Sequence, residues 1–103
     1  MIKWSTKIDA DTVFIDIKGH AGYAKRGQDI VCASVSTLTY FFINCIKHIE
    51  EDSIKYLNIN DGDVKIKLNI SEKTKPLLEV FQLLMKDIIA QYPQCLMESD
   101  QND

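Results

Sequence analysis

Ile2, Trp4, Thr6 and Ile8 alternate with Lys3, Ser5 and Lys7 at the start of the chain, the period-two pattern of a half-buried strand. Val13, Ile15 and Ile17 repeat it in "TVFIDIK", and the polar "DADT" between the two runs predicts a short hairpin connection. The period then changes. Val31, Val35, Leu38, Phe42, Cys45 and Ile49 recur at steps of three and four, which predicts a helix of about 20 residues with these side chains on its core stripe. Two further alternating runs, "IKYLNIN" and "DVKIKLNI", flank Asp61-Gly62, a dipeptide favoured in tight hairpin turns where both central residues take positive φ. Val64, Ile66, Leu68 and Ile70 form the inward side of the second run.

A last helix is predicted from Leu77, Phe81, Leu84 and Ile88, with Thr74 as N-cap, Pro76 in the first turn and an end near Tyr92-Pro93. "QCLM" beyond it predicts a short edge strand, and the polar "ESDQND" a frayed end. The expected fold is α+β, a two-layer ββαββα sandwich. Its sheet is four-stranded and mostly antiparallel, with a possible extra edge strand, and both helices lie on one face.

The 103 residues suit a single domain, 1–103, with one core. A formal charge of −3 argues against a general nucleic-acid binder, whose footprint is an excess of Lys and Arg, so no direct nucleic-acid partner is expected. The N-terminus lacks the apolar region of a secretory signal, and the longest unbroken apolar run, Tyr40 to Ile43, is far too short for a bilayer. The expectation is a cytoplasmic protein with no membrane association. Cys32, Cys45 and Cys95 are odd in number and lack CxxC spacing, which suggests free thiols.

Chemistry concentrates in "GHAGYAKRGQDIVCAS", Gly19 to Ser34, which holds three of the four glycines. Asp29 stands at the N-cap position, and Cys32 falls in the first helical turn. The helix dipole there favours thiolate, the reactive form of cysteine. Its contribution of about 0.3 to 1 kcal/mol is too small to ionise a thiol at neutral pH unaided. An imidazole beside the sulfur supplies the rest, and His20, at the end of the second strand, is the candidate. Gly22 and Gly27 would let the intervening loop fold back and move as a flap over a peptide. Backbone amides around Cys32 are expected donors to an oxyanion.

Gly19-His20-Ala21, a short variable loop, and then Gly27-Gln28-Asp29-Ile30-Val31-Cys32-Ala33-Ser34-Val35-Ser36 resemble the ribosomal-processing cysteine protease (Prp) family. Chain length and element order are similar as well. The resemblance implies a cysteine endopeptidase that removes the N-terminal extension of a large-subunit ribosomal protein precursor, with Cys32 as nucleophile and His20 as its partner. It also implies a homodimer and a large apolar residue before the cut. Ser34 stands where many relatives carry Ala or Gly, and the loop sequence "GYAKR" is this chain's own.

Asp29 enters as a third member, either as helix cap or as orienter of His20. Gly22, Tyr23 and Gly27 are the loop candidates for substrate contact. Ser36 shares a helix side with Cys32, although a serine there more often packs or bonds back to the chain. Lys25 and Arg26 read as solvated loop charges, His48 as part of a solvated helix face, and Cys45 as core. No metal or organic cofactor is expected: His20 and Cys32 are too few for zinc, and the loop lacks the Gly-Lys-Ser/Thr ending of a P-loop. A cysteine phosphatase would need an arginine where Leu38 stands. The alternative is a non-catalytic ribosome-associated module binding protein or RNA through Tyr23, Lys25 and Arg26, with Trp4, Phe14 and Tyr56 as its only strand aromatics. A redox thiol sensor lacks a resolving cysteine beside Cys32.

Overall fold

The computed structural model describes residues 1–99; of "ESDQND", residues 100–103 lie outside the described residues. Two hairpins, each followed by a helix, build the molecule. Strands β1 (Ile2–Asp9) and β2 (Thr12–Lys18) precede α1 (Ile30–Glu50), and β3 (Ile54–Asn60) and β4 (Asp63–Asn69) precede α2 (Lys75–Gln91). A short β5 (Leu96–Glu98) follows. The sheet order is β3-β4-β2-β1-β5, antiparallel throughout except where β5 runs parallel to β1. The expected edge strand therefore exists as a fifth strand. Pairing of β2 with β4 joins the hairpins and sets Lys18 opposite Asp63, so the end of β2 meets the β3–β4 turn.

The core lies between sheet and helices. Trp4, Val13, Ile15, Ile66 and Leu68 face Val31, Phe42 and Ile46 of α1 and Leu78, Phe81 and Met85 of α2. Phe81 stacks on Phe42 at 4.8 Å and meets Trp4 edge to face at 6.2 Å, which locks both helices onto β1.

Three expectations need correction. The buried side of α1 is Val31, Val35, Thr39, Phe42, Ile43 and Ile46, whereas Cys45 is only half-buried and Ile49 is exposed. The apolar arc of α1 is wider than one stripe, running from Ile43 round to an exposed Phe41, and periodicity cannot tell which part of so wide an arc the sheet covers. Thr39, polar in sequence, is buried with its hydroxyl donating to the Val35 carbonyl at 2.7 Å. Thr74 precedes α2 but makes no side-chain cap. Its hydroxyl instead accepts the Ser71 amide at 3.0 Å, and Ser71 Oγ accepts the Lys73 amide at 3.2 Å, which closes the turn before the helix. In the β3–β4 turn only Gly62 has positive φ, 71°; Asp61 does not, and its carboxylate pairs with Arg26 at 3.2 Å.

Candidate active site

Asp29 organises the start of α1. One carboxylate oxygen accepts the Val31 and Cys32 amides at 3.0 and 2.9 Å, and the other accepts those of Tyr23 and Ala24 at 2.9 and 3.3 Å. The same side chain thus caps the helix and pins the preceding loop. These donors, the Cys32 amide foremost, hold its carboxyl below the usual carboxylate range against the opposing effect of desolvation. None of its hydrogen bonds among the described residues goes to His20; in this structure the carboxylate serves as cap and loop staple.

Cys32 is half-buried, and its sulfur accepts the Ala21 amide at 3.2 Å. Burial of the Ala21 side chain fixes that amide. His20, one residue earlier, has its carbonyl bound by the Met1 amino group at 2.6 Å, and the Gly19 amide donates to Gly62 O at 2.9 Å. Both His20 and Cys32 line one groove of about 630 Å³, with Gly22, Gly27, Ser36 and Asp61 among its other walls. No hydrogen bond joins imidazole to sulfur among the described residues; the ring rests against Gly62. A Cβ at position 62 would lie 2.7 Å from His20 Nε2 and 3.1 Å from Cε1.

The other candidates divide. Gly22 and Gly27 line the groove, each at positive φ, 70° and 88°. Tyr23 does not: its ring packs edge to face on Tyr92 at 5.4 Å, anchoring the loop to the end of α2. Ser36 lines the groove, and its hydroxyl, unlike that of Ser34, which bonds back to Ile30 O at 2.7 Å, makes no hydrogen bond among the described residues. Arg26 is paired to Asp61 across the groove, with both side chains largely exposed, a contact of little net stability. The expected oxyanion donors also change. The Val31 and Cys32 amides serve Asp29, and the Ala33 amide donates to Asp29 O at 3.1 Å, so the amide aimed at the sulfur is Ala21's. Cys45 and Cys95 are free thiols outside the groove. Sequence reasoning missed Gly62 and Asp61, which read only as turn residues; the one available signal was the register that an Asp-Gly turn imposes on β4.

A thiol at a helix start, an amide directed at it and an imidazole in the same groove define a cysteine hydrolase whose nucleophile and base line one groove. The comparisons agree. The sequence profile of the family "Cysteine protease Prp" matches residues 1–97, and the chain belongs to that family. The ribosomal processing cysteine protease Prp of Mycoplasma pneumoniae is 34% identical over 88 residues, 81% of this chain and 82% of that one. The protein of the same name from Mycoplasma genitalium is 27% identical over 99 residues, 93% and 96% of the two chains. The crystal structure of the essential ribosomal processing protease Prp from S. aureus with a covalently linked product peptide superposes with a TM-score of 0.83. It is 21% identical, over 96% of this chain and 98% of that one, and it supports the fold.

Two outcomes follow from this geometry. Gly62→Asn keeps a residue type that tolerates left-handed φ but takes the space in which the imidazole rests and from which it turns to reach sulfur, so His20 loses its positioning and kcat/KM for peptide cleavage should fall about 100-fold with the urea midpoint little changed. Unchanged kcat/KM would show that the seat is dispensable. Because Asp29 has its carboxyl lowered in the fold, its stabilising contribution is complete above the ordinary value of about 3.9 and is lost as pH falls through the lower folded value. The NMR amide shifts of Tyr23, Ala24, Val31 and Cys32 should therefore titrate together below pH of about 3.9, and in Asp29→Asn this common transition should vanish.

Proposed function

We propose that this cysteine protease acts in ribosomal processing by removing the N-terminal extension of a large-subunit ribosomal protein precursor. The observation that carries the chemistry is the shared groove of Cys32 and His20, with the Ala21 amide on the sulfur. His20 takes the Cys32 proton, Sγ attacks the scissile carbonyl carbon, and the negative charge passes to the carbonyl oxygen beside the Ala21 amide. Imidazolium then protonates the leaving amine as the C–N bond breaks, which leaves a thioester on Cys32. Water, deprotonated by His20, cleaves the thioester and restores the thiol. For this the imidazole must turn from Gly62 toward sulfur, a side-chain rotation that the open groove permits. In this proposal the apolar residue before the cut enters a second depression beside the first, where Val35, Tyr40, Ile59 and Val64 stand among the polar Thr39, Asn60 and Asp63. The reaction belongs in the cytoplasm, where ribosomal precursors are made, and the three free thiols are compatible with a reducing compartment.

The working unit in this proposal is a homodimer. Ile30, Leu38 and Phe41 line one shallow apolar groove on α1, which continues across Cys45 to Leu77, Val80 and Leu84 of α2. Phe41 is 66% exposed and Val80 52%, a contiguous apolar surface of the kind that marks an interface. A second copy presenting the same surface matches it by two-fold symmetry.

Incubation with a peptide spanning the precursor junction should give one cut, located by mass spectrometry. Cys32→Ala should abolish it, and His20→Ala should slow it by about 100- to 10,000-fold, with both variants folded by circular dichroism. A cut that survives Cys32→Ala would remove that residue as nucleophile. In light scattering the native chain should have twice the mass of Phe41→Glu, and a monomeric native chain would end the dimer proposal.

A further inference from the structure

The helices cover one side of the sheet and leave the other open. On the open side, register aligns four residues across four strands: Lys7 of β1 opposite Phe14 of β2, Phe14 opposite Lys67 of β4, and Lys67 opposite Tyr56 of β3. Cation and ring alternate along this row. Phe14 is 41% and Tyr56 53% exposed, and Lys67 Nζ lies 5.4 Å from the centre of the Phe14 ring. The neighbouring rows add Lys65 opposite Asp16, and Lys3 opposite Lys18.

We infer that this open sheet face is a docking surface for single-stranded RNA. It carries five lysines, Lys3, Lys7, Lys18, Lys65 and Lys67, against three aspartates, Asp9, Asp16 and Asp63, whereas the remaining residues have seven basic and twelve acidic side chains. Charge of the two signs is thus segregated in a chain that is acidic as a whole. Lys18 and Lys65 are tied to Asp16 and Asp63 at 2.9 to 3.7 Å. Lys3, Lys7 and Lys67 have no carboxylate partner among the described residues, so their charge is free for phosphates.

The rings decide between polyanions. Lysines alone would serve an acidic peptide equally well, but two exposed aromatics interleaved with cations offer stacking planes for bases between contacts for the phosphates. Adjacent strands are about 4.8 Å apart, so the two rings stand about 10 Å apart with a cation between them. Asn58 and the Thr12–Asn69 pair flank the row and bring donors and acceptors within reach of a ribose 2′-hydroxyl. The face continues to the active site, since Lys18 leads directly into Gly19-His20 and Asp63 follows Gly62. RNA held there would lie beside the groove that receives the peptide. The choice of RNA over DNA rests on the ribosomal role proposed above; the surface itself does not.

The test is fluorescence anisotropy with a labelled single-stranded RNA of about ten nucleotides, in parallel with cleavage of a short precursor peptide. Binding should be measurable at about 50 mM salt, with log Kd rising against log salt at a slope of about 2, the value for three phosphate contacts on a single strand. Tyr56→Ala should weaken it about 10-fold, and Lys7→Gln and Lys67→Gln should each lower the salt slope, all three leaving peptide cleavage unchanged. No binding at low salt, variants that bind like the native chain, or displacement by polyglutamate as effective as by RNA would overturn the inference. Equal affinity for DNA of the same sequence would overturn the assignment to RNA. Cleavage measured alongside reports separately on the protease reading.

Discussion

Four backbone amides converge on the carboxylate of Asp29, two from the loop before α1 and two from its first turn, and the site depends on this convergence. A loop rich in glycine has much conformational entropy to lose on ordering. Asp29 gives it one anchor and the Tyr23–Tyr92 contact another. The span between Ala24 and Gln28, which carries Gly27, is held by fewer contacts, the Gln28 amide on Lys25 O and the exposed Arg26–Asp61 pair. The negative charge of this carboxylate, three residues from Cys32, is met by four N–H dipoles. The same arrangement has a cost in donors, because the amides a helix start would offer an oxyanion are already occupied. The Ala21 amide, already 3.2 Å from the sulfur, is left to serve.

The other half of the site comes from the doubled ββα order. Because β2 pairs with β4 in the centre of the sheet, the end of the first hairpin is held against the turn of the second, and the Gly19 amide binds Gly62 O. His20 therefore leaves the sheet at a fixed point, with its ring on a residue that has no side chain. The nucleophile supplied by α1 and the base seated on Gly62 share one groove only because the two hairpins share a sheet.

Much of this was legible from the residues. Strict alternation in "IKWSTKI" and "TVFIDIK" gave the first hairpin, and the pattern GHA with GxDIVCA located both His20 and Cys32. What escaped has a common cause in contacts between segments distant in sequence. Tyr23 looked like a substrate contact because nothing near it in the chain reveals Tyr92. Asp29 looked able to orient His20 because a carboxylate has two oxygens, and only the folded loop shows the second one taken. Phe14 and Tyr56 stood in the sequence only as two strand aromatics, and they join one row only through the registers of two strand pairs.

The misplaced stripe on α1 has a different origin. A helix that packs on a single surface displays its core side by periodicity, since the rest of its circumference is polar. On α1 Ile30, Tyr40, Phe41 and Ile49 remain exposed although the sheet already buries Val31, Val35, Phe42, Ile43 and Ile46. Covering the sheet accounts for only part of that apolar circumference. The second copy proposed at Phe41 and Val80 supplies a use for the remainder, and it explains why Leu38 and Cys45, between the two surfaces, read as core while standing only half-buried. Ile30 adjoins Asp29, so a second copy seated there would lie beside the helix start that holds Cys32.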